Sequence, residues 1–547
     1  MQIIIPMSGF GERFRAEGYT IPKPLIEVDG KPVIAHVVDL FPGNHDFIFI
    51  CNEDHLQNPE WNMRGVLESL GDSTRIVPIA AHKLGPVNAI LKAKDAIDLA
   101  AETIVNYADF TCRWDFDSFL EDIRARSLAG SVPAYRGFHP HSGGSTNYAY
   151  ILEEGLILED IREKKPFTQN KVDEFASSGT YYFQSASLML EVFQEQVSKG
   201  ISVGGEFYVS SSMALMGERG LKVGVFELEH FMQWGTPQDL REYEHFSNLF
   251  RRLVNFDSAS LEISGVGAAL VLASGEGKRF QDRGYGTPKT FLPVSGTRLV
   301  SQIAKVVDRH QPLAISVLAD SAEAGLREAG FENTLKLTKL SKGQADTASQ
   351  LVGSQGSKIT GVFSIFPNDT LFADNTGSLS EMVSTSSEFL VAWASHASPF
   401  AQSNPNQFGW IWEDNGRVFT ALKQAPADLS ARVITGAFTF SSRSTFQRLF
   451  DWVSSNNRTI NGEIYLDSFI EGAEQLGISI SIFEPEISIT LGTPYEYESF
   501  RYWQSCFDQW GSHPYTLKTD PYVTAGDLQS LRDELRSTKH QPSEHSF

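Results

Sequence analysis

Two glycines, an arginine and a lysine near the start of the chain are the first residues whose spacing could do chemistry. The chain opens Met1-Gln2-Ile3-Ile4-Ile5-Pro6-Met7-Ser8-Gly9-Phe10-Gly11-Glu12-Arg13-Phe14, and Lys23 follows inside Ile21-Pro22-Lys23-Pro24-Leu25. Gly9 and Gly11 let backbone amides approach a ligand closely, and successive amides of this kind form an anion-binding nest. Arg13 and Lys23 add fixed positive charge beside it. The set suits the phosphates of a nucleotide, and the bland alternative is an ordinary glycine-rich turn between a strand and a helix. A dinucleotide fingerprint wants a third glycine where Phe14 stands, and a P-loop wants a Gly-Lys-Ser/Thr ending that this stretch does not have.

The elements around this loop read as alternating strands and helices. Ile3 to Ile5, Phe47 to Ile50 and Arg75 to Ile79 are apolar runs of strand length, and Leu84 to about Leu99 is a helical stretch. Thr103 to Phe110 reads as a strand ending in the acidic Asp109. Strands alternating with helices imply a parallel sheet with crossover helices, and ligands gather at the carboxyl ends of its strands. The opening loop and Asp109 both lie at such ends.

At 547 residues the chain is long enough for two or three domains. Its 41% hydrophobic and 21% charged content is that of a globular protein, and no apolar run reaches a membrane span. The N-terminus has no basic region before its apolar stretch and no small-residue cleavage site, so no signal peptide is expected. Cys51, Cys112 and Cys506 are too few for a disulfide framework or a zinc cluster; they read as small buried apolar side chains in a reducing, cytoplasmic setting. The net charge of −21 argues against nucleic acid and an anionic membrane surface as partners.

The second half repeats the first. Ser274-Gly275-Glu276-Gly277-Lys278-Arg279 repeats the opening loop, and Thr287-Pro288-Lys289 repeats Ile21-Pro22-Lys23, both at a shift of 266. Gly85 matches Gly343 at 258, Asp109 matches Asp369 at 260, and Lys164 matches Lys423 at 259. Gly179 matches Gly436, Glu206 matches Glu463, and Gly235-Thr236-Pro237 matches Gly492-Thr493-Pro494, all at 257. An ordered series at a nearly constant offset reads as two copies of one domain, residues 1–254 and 262–512, joined through Asn255-Phe256-Asp257-Ser258. Residues 513–547 read as a polar, partly disordered tail with one short helix at Ala525 to Arg536.

Both copies resemble the sugar-phosphate nucleotidyltransferase superfamily, through Gly-x-Gly-x-Arg followed by Pro-Lys, the Glu163-Lys164 pair and the closing Gly-Thr-Pro. The resemblance implies two tandem Rossmann-like domains, each a mostly parallel mixed sheet flanked by helices. It implies that Met7, Ser8, Gly9, Phe10, Gly11, Glu12 and Arg13 wrap a triphosphate, with Arg13 on the leaving pyrophosphate. It implies Lys23 between the α-phosphate and the attacking phosphate, Gly85 and Pro86 by the nucleobase, and Asp109 on magnesium. It implies Lys164 on the acceptor's phosphate, with Gly179 and Glu206 lining the acceptor site. The second-copy equivalents are Gly275, Gly277, Arg279, Lys289, Asp369, Lys423 and Glu463. The substrates implied are CTP, GTP, UTP or dTTP and a phosphorylated sugar, giving an activated sugar for surface polysaccharide such as capsule. Assembly as a homo-oligomer stays open.

One departure stands out. The family often closes with Trp-x-Asp-x-Gly-Thr-Pro, whose Asp is the second metal ligand; here Gln233 takes that place, and Thr490 in the second copy. Magnesium commonly takes only one or two carboxylates plus phosphates and water, so Asp109 alone or with another carboxylate such as Glu206 would serve. Several residues keep bland alternatives: Asp109 as a turn cap, Glu206 as a helix start, and Lys164 as part of the solvated run Arg162 to Lys165. His139-Pro140-His141 reads as an unliganded loop. The second copy's base-side segment, Lys342-Gly343-Gln344-Ala345-Asp346, differs strongly from the first, and its activity is left open. Competing readings are a cytidylyltransferase for a small non-sugar phosphate, a nucleotide-sugar-dependent glycosyltransferase, and a non-catalytic nucleotide-binding protein. The glycosyltransferase reading wants Asp-x-Asp at the fourth strand, whereas Asp115-Phe116-Asp117 falls after it.

Overall fold

The computed structural model describes residues 1–537 except 72, 141–147, 258–260, 308–312, 319–322, 332, 461, 525 and 527. The chain divides into two compact units, Met1–Glu244 together with the chain from Arg536, and His245–Leu535. The division falls inside the helix Pro237–Leu253, earlier in the chain than the composition break after residue 254. Ser258 and His141, both singled out in the sequence, lie outside the described residues, as do Ala525 and the chain after 537.

The first unit is built on a ten-stranded sheet. One parallel part runs Thr74–Ile79, Asp46–Asn52, Gln2–Met7, Thr103–Asn106, and Val223–Glu227 also pairs parallel with Gly130–Tyr135. These segments are short runs of Ile, Val and Phe because helices cover both faces; Ile3, Ile4 and Ile5 are fully buried. From Gln2–Met7 the sheet grows in both directions, so a topological switch point lies between it and Thr103–Asn106. That is where an open α/β sheet opens its ligand crevice. The loop from Ser8 leaves one of these strands and Tyr107–Asp109 leaves the other.

The expectation of a mostly parallel sheet needs correction. Beyond Thr103–Asn106 the sheet turns antiparallel at Thr180–Phe183, and Ala149–Glu154 and Ile157–Glu163 form an antiparallel hairpin. The reason is connection length: Gly155-Leu156 is a tight turn, and only antiparallel strands can be joined so briefly. The strand expected from Thr103 to Phe110 is also two strands. Thr103–Asn106 stays in the main sheet, while Phe110–Arg113 leaves it to pair with His230–Gln233.

The second unit repeats this order. Asn333–Leu337, Leu313–Leu318, Ala268–Ala273, Phe363–Pro367, Arg432–Phe440, Phe389–Ser395 and Ser479–Phe483 lie side by side in the sequence of their first-unit counterparts. The small outlying pair recurs as Thr370–Ala373 with Ile487–Thr490. Each unit closes its own apolar core, one around Ile4, Val105 and Phe193, the other around Leu270, Ile365 and Phe446.

The segment after residue 512 is not a loose tail through its first part. His513, Tyr515, Leu517, Asp520 and Tyr522 are buried. The Tyr515 ring meets Phe250 at 4.6 Å, and the Tyr522 hydroxyl donates to the Phe372 carbonyl at 2.8 Å. A polar average over this stretch hides three large side chains, and those decide its packing. The terminal helix runs Leu528–Ser537. All three thiols are free and buried, and burial pushes Cys51 up to about 12. Among the described residues no helix is long and apolar enough to cross a membrane.

Candidate active site

The opening loop is shaped by Gly11, which sits left-handed at φ 64, ψ 31 and starts the short helix Glu12–Ala16. Its carbonyl accepts from the Arg15 amide at 3.1 Å. Phe14 is buried against Tyr19 and anchors that helix from below. A Cβ added at Gly9 would meet no protein atom within 4 Å. Packing therefore does not demand glycine there, whereas close approach of a ligand to the backbone would. Met7 and Ser8 are buried at the strand's end, and Arg13 is exposed. Phe10 and Glu12 both face Lys83, whose ammonium lies 5.9 Å from the Phe10 ring and 2.6 Å from the Glu12 carboxylate. Gly277 repeats the left-handed start at φ 66, ψ 28.

Lys23 and Asp109 meet. The Lys23 ammonium is 2.9 Å from Asp109 Oδ2 and donates to the Gly235 carbonyl at 3.2 Å. Asp109 stands in the connector between two strands, fixed on one side where the Tyr107 amide donates to Gly179 and on the other where the Trp234 amide donates to the Asp109 carbonyl. Gly179 has φ +99, and a Cβ there would come within 3.0 Å of the Tyr107 ring. It lies beside the Asp109 connector. In the second unit Lys289 lies 2.7 Å from Asp369.

Gly85, expected by the nucleobase, has φ +84, and a Cβ there would fall 2.7 Å from the Phe207 amide nitrogen and carbonyl oxygen. The space is taken by a backbone clamp: the Phe207 amide donates to the Leu84 carbonyl and the Val87 amide to the Phe207 carbonyl. Pro86 begins the helix Pro86–Lys92, where its missing N–H costs nothing. Gly343 and Ile464 repeat the clamp with the same 2.7 Å approach. The long helix expected to Leu99 ends at Lys92 and passes into a short 3₁₀ turn at Lys94–Ala96.

On the far side, Lys164 follows directly on the strand Ile157–Glu163, with its backbone left-handed at φ 59. Non-glycine residues seldom take that conformation, and it costs on the order of 1–3 kcal/mol. The Lys164 ammonium donates to the Tyr208 hydroxyl at 2.7 Å and lies over its ring, and that hydroxyl donates to Glu206. Glu206 thus belongs to the turn before the helix Val209–Glu218 rather than to the helix start. Glu163 accepts from Ser210 at 2.6 Å, and burial raises its carboxyl above the usual range while Ser210 and Lys164 hold it down. Burial and Glu206 raise the Tyr208 hydroxyl above its ordinary range, and the Arg13 charge opposes them.

Residues 2–211 match the family model described as nucleotidyl transferase. This part of the chain is similar to sugar-phosphate nucleotidyltransferases. It is 26% identical over 234 residues to the bifunctional protein GlmU of Rhodopseudomonas palustris, covering 41% of this chain and 47% of that protein. It is 24% identical over 245 residues to the mannose-1-phosphate guanylyltransferase catalytic subunit beta of Danio rerio, covering 44% and 62%. The chain thus spans about half the length of the curated relatives it matches. Among solved structures, a nucleoside-diphosphate-sugar pyrophosphorylase from Vibrio cholerae aligns at TM-score 0.37 and 20% identity over 45% of this chain and 100% of that one.

Within the first half, two kinds of residue escape sequence reasoning. Tyr208 is one; the signal was there, since Glu-x-Tyr recurs as Glu463-Ile464-Tyr465, with the Tyr465 hydroxyl 2.8 Å from Glu463. The second is Asp239, which accepts from the Thr236 amide at 2.8 Å and, with Asp109, bears on the Tyr148 hydroxyl. Its counterpart Glu496 is pushed up to about 7, chiefly by burial, with Asp369 beside it. The amide Gln233, at the family's acidic position, accepts from Tyr148. Among the described residues no three His, Cys, Asp or Glu side chains gather as a metal cluster. Asp115 caps the helix Phe116–Ala125 through the Ser118 amide, which removes it from the Asp-x-Asp reading. His139 is buried among Tyr135, Tyr148 and Phe231.

Proposed function

We propose that the first half transfers a nucleoside monophosphate from a nucleoside triphosphate to a phosphorylated sugar and releases pyrophosphate. The observation that carries this is the meeting of Lys23, Asp109 and the Gly235 carbonyl at the switch point, with Lys164 on Tyr208 and the Arg13 charge acting on the same tyrosine. The acceptor's phosphate is already ionised at neutral pH, so no general base is needed. What the reaction needs is two polyanions held in line and charge neutralised on the leaving group, and positioning with electrostatics supplies most of that.

The roles follow from location. The amides from Ser8 to Gly11 cradle the triphosphate, with Met7 and Phe10 flanking it and Arg13 taking the leaving pyrophosphate. Lys23 sits between the α-phosphate and the attacking oxygen. Gly85 and Pro86 border the base, Lys164 takes the acceptor phosphate, and Gly179 and Glu206 line the acceptor's side. Tyr208 is a positioning residue that aims Lys164. Magnesium needs only one or two carboxylates beside phosphates and water; Asp109, which holds the Lys23 ammonium in this structure, would hold it, and the ion would supply charge neutralisation. The sugar acceptor is supported by the guanylyltransferase relative, whose name states mannose-1-phosphate. The second half reads as a tandem copy of the same domain, supported by its matching strand order and repeated Lys–Asp contact.

The test is pyrophosphate release from purified protein with magnesium and each of CTP, GTP, UTP and dTTP. The acceptor panel holds sugar 1-phosphates and small alcohol phosphates such as phosphocholine. Release with one pairing is expected, and Lys23→Ala should cut it roughly 10²–10³-fold. No release with any pairing would end the enzyme reading, and full activity in Lys23→Ala would end the site assignment.

A further inference from the structure

The second half differs from the first around its own lysine in three linked places. In the first half Ala149 pairs across the hairpin with Glu163, and Glu163 accepts from Ser210. In the second half the pair is Gly409 with Leu422, so the carboxylate is gone from the strand. A carboxylate reappears at Asp467, which stands where Ser210 stands when the repeat is laid over itself at its shift of 257. A Cβ added at Gly409 would lie 2.3 Å from Asp467 Oδ2, so the loss of a methyl group at 409 makes the room that Asp467 occupies. Asp467 acts on Lys423 as Glu163 acts on Lys164.

Everything these changes protect is costly to stability. Lys423 keeps the left-handed backbone, at φ 54, where glycine or asparagine would sit with less strain. Burial opposes its charge. Charge pairs drawn away from water are often replaced by apolar side chains with no loss of stability, sometimes with a gain. A half that served only as scaffold would have had that route open. Instead the set of charges is kept: Asp467, Glu463 and Arg279 act on Lys423, matching Glu163, Glu206 and Arg13 in the first half, while the Lys423 ammonium donates to the Gln407 carbonyl where Lys164 donates to Tyr208. The remaining frame is intact too, with Gly277 left-handed, Lys289 on Asp369, and Gly343 clamped to Ile464.

We propose that the second half carries its own nucleotidyl-transfer site, acting on a nucleoside triphosphate and a phosphorylated acceptor different from the first half's. The reaction class rests on the reading given for the first half. An acceptor phosphate oxygen forms a bond to the α-phosphorus, the α–β bridging P–O bond breaks, and its electron pair leaves with pyrophosphate. The different substrates follow from the base side. Leu84, Pro86 and Asn88 give way to Lys342, Gln344 and Asp346, and the Asp346 carboxylate accepts from the Lys342 amide at 2.9 Å. An edge without charge has become one that carries both a lysine and an aspartate. On the acceptor side, the carboxylate now comes from the segment after Tyr465 instead of from the hairpin strand.

The experiment uses the full chain, the four magnesium triphosphates and the same acceptor panel, reading pyrophosphate for wild type, Lys23→Ala, Lys289→Ala and the double variant. Two acceptor activities are expected, one lost about 100-fold in Lys23→Ala alone and the other about 100-fold in Lys289→Ala alone. Asp369→Asn repeats the second arm should Lys289→Ala fail to fold by thermal melting. Release abolished by Lys23→Ala for every acceptor and untouched by Lys289→Ala and Asp369→Asn would overturn the second site while leaving the first-half reading intact. No release from wild type with any pairing would overturn both.

Discussion

The two lysines that follow the hairpins, Lys164 and Lys423, share a backbone pose and draw their counter-charge from different elements. Glu163 is the residue before Lys164 on its strand; Asp467 comes from the turn leading into a helix. The difference teaches that what this fold preserves there is a charge set rather than a residue at an address. It also explains why aligning the halves by identical residues misses it: Ser210 over Asp467 and Glu163 over Leu422 look like two unrelated losses.

The largest test of this equivalence breaks the clamp that both halves share. Gly85→Ala should force Phe207 away and cost roughly 100-fold in kcat/KM for the first half's acceptor, since misplacement by about 1 Å is that costly. Gly343→Ala should do the same to whatever the second half uses. Gly9→Ala, where added bulk meets no protein atom, should leave the melting temperature unchanged and raise KM for the triphosphate. A Gly9→Ala protein that melts early would show the loop is a packing device.

Next comes a transplant. Glu163→Leu alone should raise KM for the acceptor about tenfold, the worth of a charged hydrogen bond. Adding Ala149→Gly and Ser210→Asp should return it to within about threefold. If the triple variant is no better than the single, the two arrangements are not equivalents. A smaller effect is expected of Tyr208→Phe: about fivefold in acceptor KM with kcat nearly kept, because only the aiming of Lys164 is lost. A fall in kcat alone would move Tyr208 into the chemistry.

The smallest effect concerns acid. Burial holds His245 down to about 4 in the second unit and lowers His36, whose Nε2 lies 2.8 Å from the Val28 carbonyl, in the first. The folded value is below the unfolded one, so the stability is present above pH 6.5 and drains away as pH falls towards 4. For His245 about 1 kcal/mol should go between pH 7.5 and 5.5. Denaturant unfolding of His245→Gln should be flatter over that range; an unchanged slope would clear His245 of the role.

Much of this was legible in the sequence. The strands of the parallel part, the opening loop and the placing of that loop and Asp109 at the carboxyl ends of strands follow from apolar runs, glycine spacing and the repeat, whereas the strand order and the Lys23–Asp109 contact come from the structure. The antiparallel half was hidden because strand direction depends on connections, and Gly155-Leu156 carries no strong signal by itself. The break at Tyr107–Asp109 was hidden because Phe110 to Arg113 is as strand-like as what precedes it, and only its partner His230–Gln233 draws it away. Asp239 and Tyr208 were hidden because their roles come from neighbours distant in the chain, although both recur in the repeat as an acid and a tyrosine. The packed stretch from His513 to Tyr522 was hidden by averaging over its polar residues.

The clamp at Phe207 has a kinetic consequence. The loop expected to meet the base and the turn bearing Glu206 and Tyr208 are tied by two backbone hydrogen bonds across one residue. A nucleotide that stilled the loop would through these bonds also still Tyr208, and with it Lys164, before any acceptor arrived. The ordering entropy would then already be spent when the second substrate binds. Turnover should accordingly follow a compulsory order, triphosphate first, with product inhibition by the activated sugar competitive against the triphosphate and pyrophosphate leaving first.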